Sequence, residues 1–354
     1  MCESCGDVAN NVQAPSSTSG RRVPIESKMV KKFRRAAAGV EEQLPSELRT
    51  SETLKRTLDY LIDRIVGGGD RLAVHHKFVW DRTRAIRNDF SIQQVTSPED
   101  VRTAVDCFER IARFHILSLH QLSNPDNLDP DDFFDAQQER EQLSKTLQSL
   151  EYYYNDHRGT VDFPNESEFK AYGALFELLS QTPDLEDRIS HWPAEFQSDP
   201  RTQTMIKIYD AAGDAEFEQG PLRPPTPCSL AQSNTARFWA LLASKRVSYL
   251  MACVAEINFA TIRFVALQHL WRSGKNAAPT QQKLFKGLTI DTVTEHLGFD
   301  TNEQTRDFCQ SFGVNFATAS GQAEYLDFTS QPSKDLDSML TPSRVVTTDS
   351  DKHA

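Results

Sequence analysis

Apolar residues recur along most of this chain at helical spacing. Leu54, Leu58, Leu61, Ile62 and Ile65 fall at i, i+4, i+7, i+8 and i+11, with Ser51 as candidate N-cap and Gly67, Gly68 and Gly69 closing the run. That stripe predicts one amphipathic helix. A second helix is expected from about Arg71 to Gln94. A third opens on Ser97 as N-cap with Pro98 at the first helical position and continues through Val101, Val105, Phe108, Ile111 and Leu119. A fourth covers Asp131 to Asn155. Asn165 and Glu168 have the spacing of a capping box ahead of Phe169, Tyr172, Phe176 and Leu179, which places a fifth helix there. Shorter helices follow around Pro183 to His191 and Pro200 to Ala212. The proline-rich stretch Pro221 to Pro227 reads as a loop before two longer helices, Ser229 to Lys245 and Val247 to Ser273.

The rhythm then changes. Thr289 to Leu297 is a short helix closed by Gly298, and Thr301 with Gln304 at N3 begins another that ends at Gly313. Val314 to Thr318 and Glu324 to Phe328 are short alternating runs around Ser320 and Gly321, a hairpin signal. Helix, turn, helix, hairpin is the order of a winged helix. Consecutive amphipathic helices with short connections stack as hairpins in the manner of an α-solenoid, though no fixed period marks a named repeat. Residues 1–27 and 331–354 lack periodicity and read as flexible tails. The expected fold is mainly α, a helical-hairpin solenoid followed by a C-terminal winged helix over 276–330.

Charge adds direction to this plan. The 39 Lys and Arg residues against 50 Asp and Glu give a net charge of −11, so the surface as a whole does not wrap nucleic acid. Two stretches run the other way. Between Arg21 and Arg35 lie Arg21, Arg22, Lys28, Lys31, Lys32, Arg34 and Arg35 against the single acid Glu26, and Thr261 to Ile290 holds Arg263, Arg272, Lys275, Lys283 and Lys286 with no acid. In the first, Arg21-Arg22 and Lys31-Lys32 with Arg34-Arg35 have the shape of a two-part nuclear import signal. The second enters the expected winged helix and forms a one-sign footprint for phosphates, so its five basic residues are the candidates for nucleic-acid contact. Trp271 and Phe285 lie among them; stacking on bases is one role for them, and core packing is the better assignment.

Candidate chemistry is sparse. The sequence has no G-x-G-x-x-G, P-loop, G-x-S-x-G or H-E-x-x-H, and no enzyme is expected. Cys2 and Cys5 form a C-x-x-C without a second pair, so neither a metal site nor a cofactor is expected. His75 and His76 are neighbours on a helix, pointing about 100° apart, and have no carboxylate at ligand spacing. Cys107 and Cys253 sit in apolar runs, where cysteine acts as a small hydrophobe. No apolar run approaches the roughly 20 residues of a membrane-spanning helix, and no apolar leader sends the cysteines to an oxidising compartment. The densest polar segment, from Phe78 through Trp80, Asp81, Arg82, Arg84, Ala85, Ile86, Arg87 and Asp89 to Phe90, is expected to form charge pairs within and between helices.

That segment, W-D-R-T-R-A-I-R-x-D-F, resembles the signature of the SAC-three/GANP family, scaffolds of nuclear mRNA export. The likeness continues through Val30 to Gly39, Leu44 to Arg49, Leu54 to Leu61, Val105 to His115, Glu141 to Leu143, Pro164 to Tyr172, Ile262 to Leu267 and Phe308 to Gly313, and covers about residues 28–330. The resemblance implies a PCI-like helical body over 28–275 ending in the winged helix. It also implies a PCI-domain partner, a small acidic peptide subunit, RNA or DNA as ligand, and a nuclear location linked to the pore. The N-terminal tail has no Phe-Gly repeats, and nothing after Ser330 forms the long helix that carries small subunits in long members, so pore association is expected through partners. The alternative is a structural adaptor in a centrosomal, mitotic or other PCI-type assembly without nucleic-acid binding.

Overall fold

The computed structural model describes residues 13–15, 22–24, 29–34, 45–128, 133–178, 184–213, 231–275, 288–318 and 323–328. Among them lie thirteen α-helices and four three-residue strands. The chain divides into two compact units, Met1–Gly173 and Ala174–Ala354, so the elements of 174–275 cluster with the C-terminal ones.

In the first unit, β1 (Gln13–Pro15) pairs antiparallel with β2 (Arg22–Pro24), a small piece of order inside the expected tail. α1 (Ser51–Asp59) is capped by Thr50, one residue before the expected Ser51, with its hydroxyl accepting from the Thr53 N–H at 3.4 Å. The expected single helix tightens and loosens at its end. Tyr60–Ile65 is a π-helical turn, Val66–Gly68 a 3-10 turn, and Gly69 ends the run at φ +94°, a conformation that favours glycine. Leu54, Leu58 and Leu61 are fully buried, each contributing about 1.5–3 kcal/mol.

α2 (Leu72–Gln93) follows, and α3 (Pro98–Leu122) begins as expected, with Ser97 Oγ accepting from the Asp100 N–H at 3.2 Å and Pro98 in the first turn. α4 (Ala136–Asp156) packs along α3 and is capped by Asp135, whose carboxylate accepts from the Gln138 N–H. α5 (Glu166–Phe176) starts where expected. The Asn165 amide donates to Glu109 on α3 at 2.7 Å, and the Glu168 carboxylate accepts from Arg113.

The second unit contains α6 (Asp184–Ser190), α7 (Ala194–Gln197), α8 (Pro200–Gly213) and α9 (Ala231–Leu242). The expected helix from Val247 to Ser273 is two helices, α10 (Tyr249–Glu256) and α11 (Phe259–Lys275), bent by 61°. Asn258 sits at the break. Its N–H donates to the Ala255 carbonyl, its own carbonyl accepts from Ile262, and its side chain donates to the Leu175 carbonyl at 3.2 Å. No single described helix is long and apolar enough to cross a membrane; α10 and α11 reach that composition only as the bent pair.

The last elements match the sequence reading closely. α12 (Ile290–Leu297) is capped by Thr289 and closed by Gly298 at φ +66°. α13 (Asn302–Ser311) is capped by Thr301, whose hydroxyl accepts from Gln304, and Gly313 follows at φ +74°. β3 (Asn315–Ala317) and β4 (Tyr325–Asp327) pair antiparallel with Phe316 opposite Leu326. The residues entering α12 join them, since Ile290 donates to the Glu324 carbonyl and Leu326 to that of Leu288. Phe264, Leu267, Trp271, Val293, Leu297, Cys309, Val314 and Leu326 form the apolar core beneath.

Candidate functional site

The signature segment lies in the middle of α2, and its charges point into the first unit. Asp89 is completely buried. One carboxylate oxygen accepts from Lys31 Nζ at 2.8 Å and the other from Arg49 Nε at 2.8 Å. Asp81 accepts from the Phe33 N–H at 3.2 Å and from Arg82 at 2.5 Å, while Arg84 lies 4.0 Å over the Phe33 ring and 5.6 Å from that of Trp80. The expected charge pairs exist, and their main partners are the extended segment 29–34 and the loop at Arg49 rather than neighbouring helices. Periodicity could not reveal this, because those partners lie 40 to 58 residues away in sequence.

Deeper in the unit, Arg87 donates to Gln142 on α4 at 2.6 Å, and burial pulls its guanidinium down to about 10. Glu139, also on α4 and 1% exposed, accepts from His115 Nδ1 at 2.7 Å and from His76 Nε2 at 3.1 Å. Burial alone would push this carboxyl up, but the two imidazoles outweigh it and hold it at about 2. Burial keeps the His115 imidazole below its ordinary value, against the pull of the Glu139 anion beside it. His76 thus finds the carboxylate that its sequence neighbours did not supply, and His75 meets Asp70 at 3.1 Å. On the far side of α3, Glu109 accepts from Tyr154 at 2.9 Å, and Arg113 grips Glu168 through two bonds of 3.1 Å. Each helix of the unit is tied to another through a buried or half-buried ion.

Among the described residues no group of three or more His, Cys, Asp or Glu could hold a metal ion. Burial pushes the thiols of Cys107 and Cys309 up to about 12 and that of Cys253 to about 11, leaving them protonated at neutral pH. Cys2 and Cys5 lie outside the described residues.

The candidate nucleic-acid residues separate on inspection. Arg263 turns inward: its Nε donates to the Leu297 carbonyl at 3.1 Å and its Nη2 to that of Gly298 at 2.6 Å, capping the C-terminal end of α12. Its guanidinium lies 3.9 Å over Phe299 and 5.4 Å from both Trp239 and Phe259, and burial lowers it to about 10. The sequence reading took it as a surface charge; a long basic side chain beside bare helix carbonyls takes them first. Arg272 is half-buried and Lys275 exposed at the end of α11, while Lys283 and Lys286 lie outside the described residues. Trp271 is 1% exposed and packs 5.5 Å from Phe328, so it belongs to the core; Phe285 is outside the described residues.

α13, the helix before the ribbon, carries exposed Glu303 and Asp307, and its one arginine, Arg306, pairs with Glu324 at 2.7 Å. α12 adds exposed Asp291 and Glu295. In the described part of α11–α13 and the ribbon, the remaining Lys and Arg side chains, Arg272 and Lys275, stand at the end of α11. Of the candidate import signal, Lys31 is in the buried pair above, Lys32 and Arg34 are exposed, and Arg22 lies in β2. Arg21 and Arg35 fall outside the described residues.

Comparison with known proteins agrees with the signature. The model of the SAC3/GANP family matches residues 8–318. The chain is 37% identical over 295 residues to SAC3 family protein 1 of Schizosaccharomyces pombe, covering 83% of this chain and 27% of that protein. It is 32% identical over 297 residues to Protein xmas of Drosophila melanogaster (82% and 13%), and 27% identical over 286 residues to SAC3 family protein B of Arabidopsis thaliana (80% and 15%). The chain thus spans about a quarter or less of the length of these relatives, and with the family model matched over most of its residues it belongs to the SAC3/GANP family.

Proposed function

We propose that this chain is a non-catalytic scaffold subunit of a nuclear mRNA-export complex, pairing with a PCI-domain subunit and a small acidic peptide subunit. Membership of the SAC3/GANP family carries this reading. The inward use of the signature charges supports it, since residues that tie a segment, a loop and helices together serve a rigid body rather than a reaction. The order of α12, α13 and the β3–β4 ribbon, with residues 288–290 bonded to β4, supports a winged helix at the end of the chain. The helical first unit agrees with a PCI-like body.

RNA or DNA is contacted, in this reading, through Arg272 and Lys275 at the end of α11 and through Lys283 and Lys286 beyond it. Carboxylates on α12 and α13 disfavour phosphates there, so contact is to the backbone and insensitive to sequence. The test is RNA binding by the chain in complex with the partners recovered from its own cells. Affinity should fall steeply with salt, and Arg272→Glu with Lys275→Glu should weaken it at least tenfold. Binding indifferent to both removes the nucleic-acid role. Recovery of centrosomal partners in place of a PCI-domain subunit and export components would favour the adaptor reading.

A further inference from the structure

Residues 29–34 form a strap along α2 that draws Lys31, one member of the chain's basic cluster, inward. Val30 is 8% exposed, and the Lys31 side chain is 9% exposed against a fully buried Asp89. Lys31 Nζ also donates to the Glu47 carbonyl at 3.0 Å. Phe33 is pinned by its N–H on Asp81 and by the Arg84 guanidinium 4.0 Å above its ring. Lys32 and Arg34 face outward. A carrier that reads a basic import signal takes an extended backbone and receives successive lysine and arginine side chains in acidic slots. With the strap docked, Lys31 cannot enter such a slot and the backbone N–H of Phe33 is already bonded.

We propose that docking of this strap and its capture by an acidic-grooved import carrier are mutually exclusive, so that folding of the first unit withholds Lys31 and the strap backbone from the carrier and strap release exposes them. The inference rests on the nuclear reading above. Release breaks the Lys31 and Phe33 contacts while Asp89 keeps Arg49, through the Nε bond at 2.8 Å and the backbone N–H at 3.4 Å. The strap can therefore leave without stranding a bare buried carboxylate. A carrier that binds only the released form has its apparent affinity lowered in proportion to the small fraction released.

The test measures binding of a purified basic-signal import adaptor to a synthetic peptide of residues 18–38, to the full chain, and to the full chain carrying Asp81→Asn with Arg84→Ala. Those substitutions loosen the strap without altering the epitope; far-ultraviolet circular dichroism and thermal melts establish that the variant remains folded. The peptide should bind, the wild-type chain at least tenfold more weakly, and the variant in between. Lys32→Glu should abolish binding in peptide and variant alike. A peptide that binds no better than the folded wild-type chain overturns the gate and leaves the import signal intact. A peptide that does not bind at all overturns both the gate and the import reading.

Discussion

The two units differ in what they bury alongside their apolar side chains. In the first, the densest motif of the sequence is driven inward, so that Asp89, Arg87, Glu139, Glu109 and His115 are all nearly or fully buried and each has an ionic or hydrogen-bonded partner. In the second, the interior of the α11–α13 and ribbon region is apolar, from Phe264 and Trp271 to Leu326, and the carboxylates of α12 and α13 face solvent. Buried ions give directional, all-or-none contacts at the cost of desolvation, whereas an apolar core tolerates adjustment. The first unit should thus fail abruptly when one ion loses its partner, and the second gradually as volume is removed.

The sharpest way to break this contrast is Asp89→Ala, which strands Lys31 and Arg49. Chemical denaturation should report a loss of about 3–5 kcal/mol. Replacing Lys31, Arg49 and Asp89 together by apolar residues of similar size should recover part of that loss, and no recovery would mean that the ions themselves specify the unit. Trp271→Ala in the second unit should cost a similar ~3–5 kcal/mol through the cavity alone, with Trp271→Phe costing much less. Gly298→Ala should follow at about 1–3 kcal/mol, because Gly298 sits at φ +66° with the Trp239 ring where a methyl would go.

Glu139→Gln should cost about 1–3 kcal/mol, since the amide cannot replace the anion for both His76 and His115. Acid sharpens the comparison further. His115, His269 and His296 are held below their ordinary value by burial, His269 at about 4. The unfolded chain takes up protons first as the pH falls below about 6.5, so stability must decline from there, and through about pH 4 for His269. Glu139, held at about 2, adds its own loss only below the ordinary glutamate range of roughly 4.3. Asparagine at both His269 and His296 should flatten the decline between pH 6.5 and 4, visible in thermal melts followed against pH. Arg306→Ala, which removes an exposed pair with Glu324, should leave the melting temperature unchanged.

What the sequence determined by itself was local. Ser97, Thr289 and Thr301 cap helices because a hydroxyl reaches an N–H three residues on, and Gly298 and Gly313 close them because their backbone requires φ above zero. The helical class, the C-terminal helices and ribbon, and the family signature were legible for the same reason: they are patterns within a few residues or a contiguous motif. Only the tertiary structure decided where long-range partners fall. It joined Lys31 to Asp89, brought Asn165 to Glu109, bent the chain at Asn258 and set Arg263 against the carbonyls ending α12. A buried charge must find a partner wherever the fold offers one, and that partner's distance along the chain leaves no trace in periodicity.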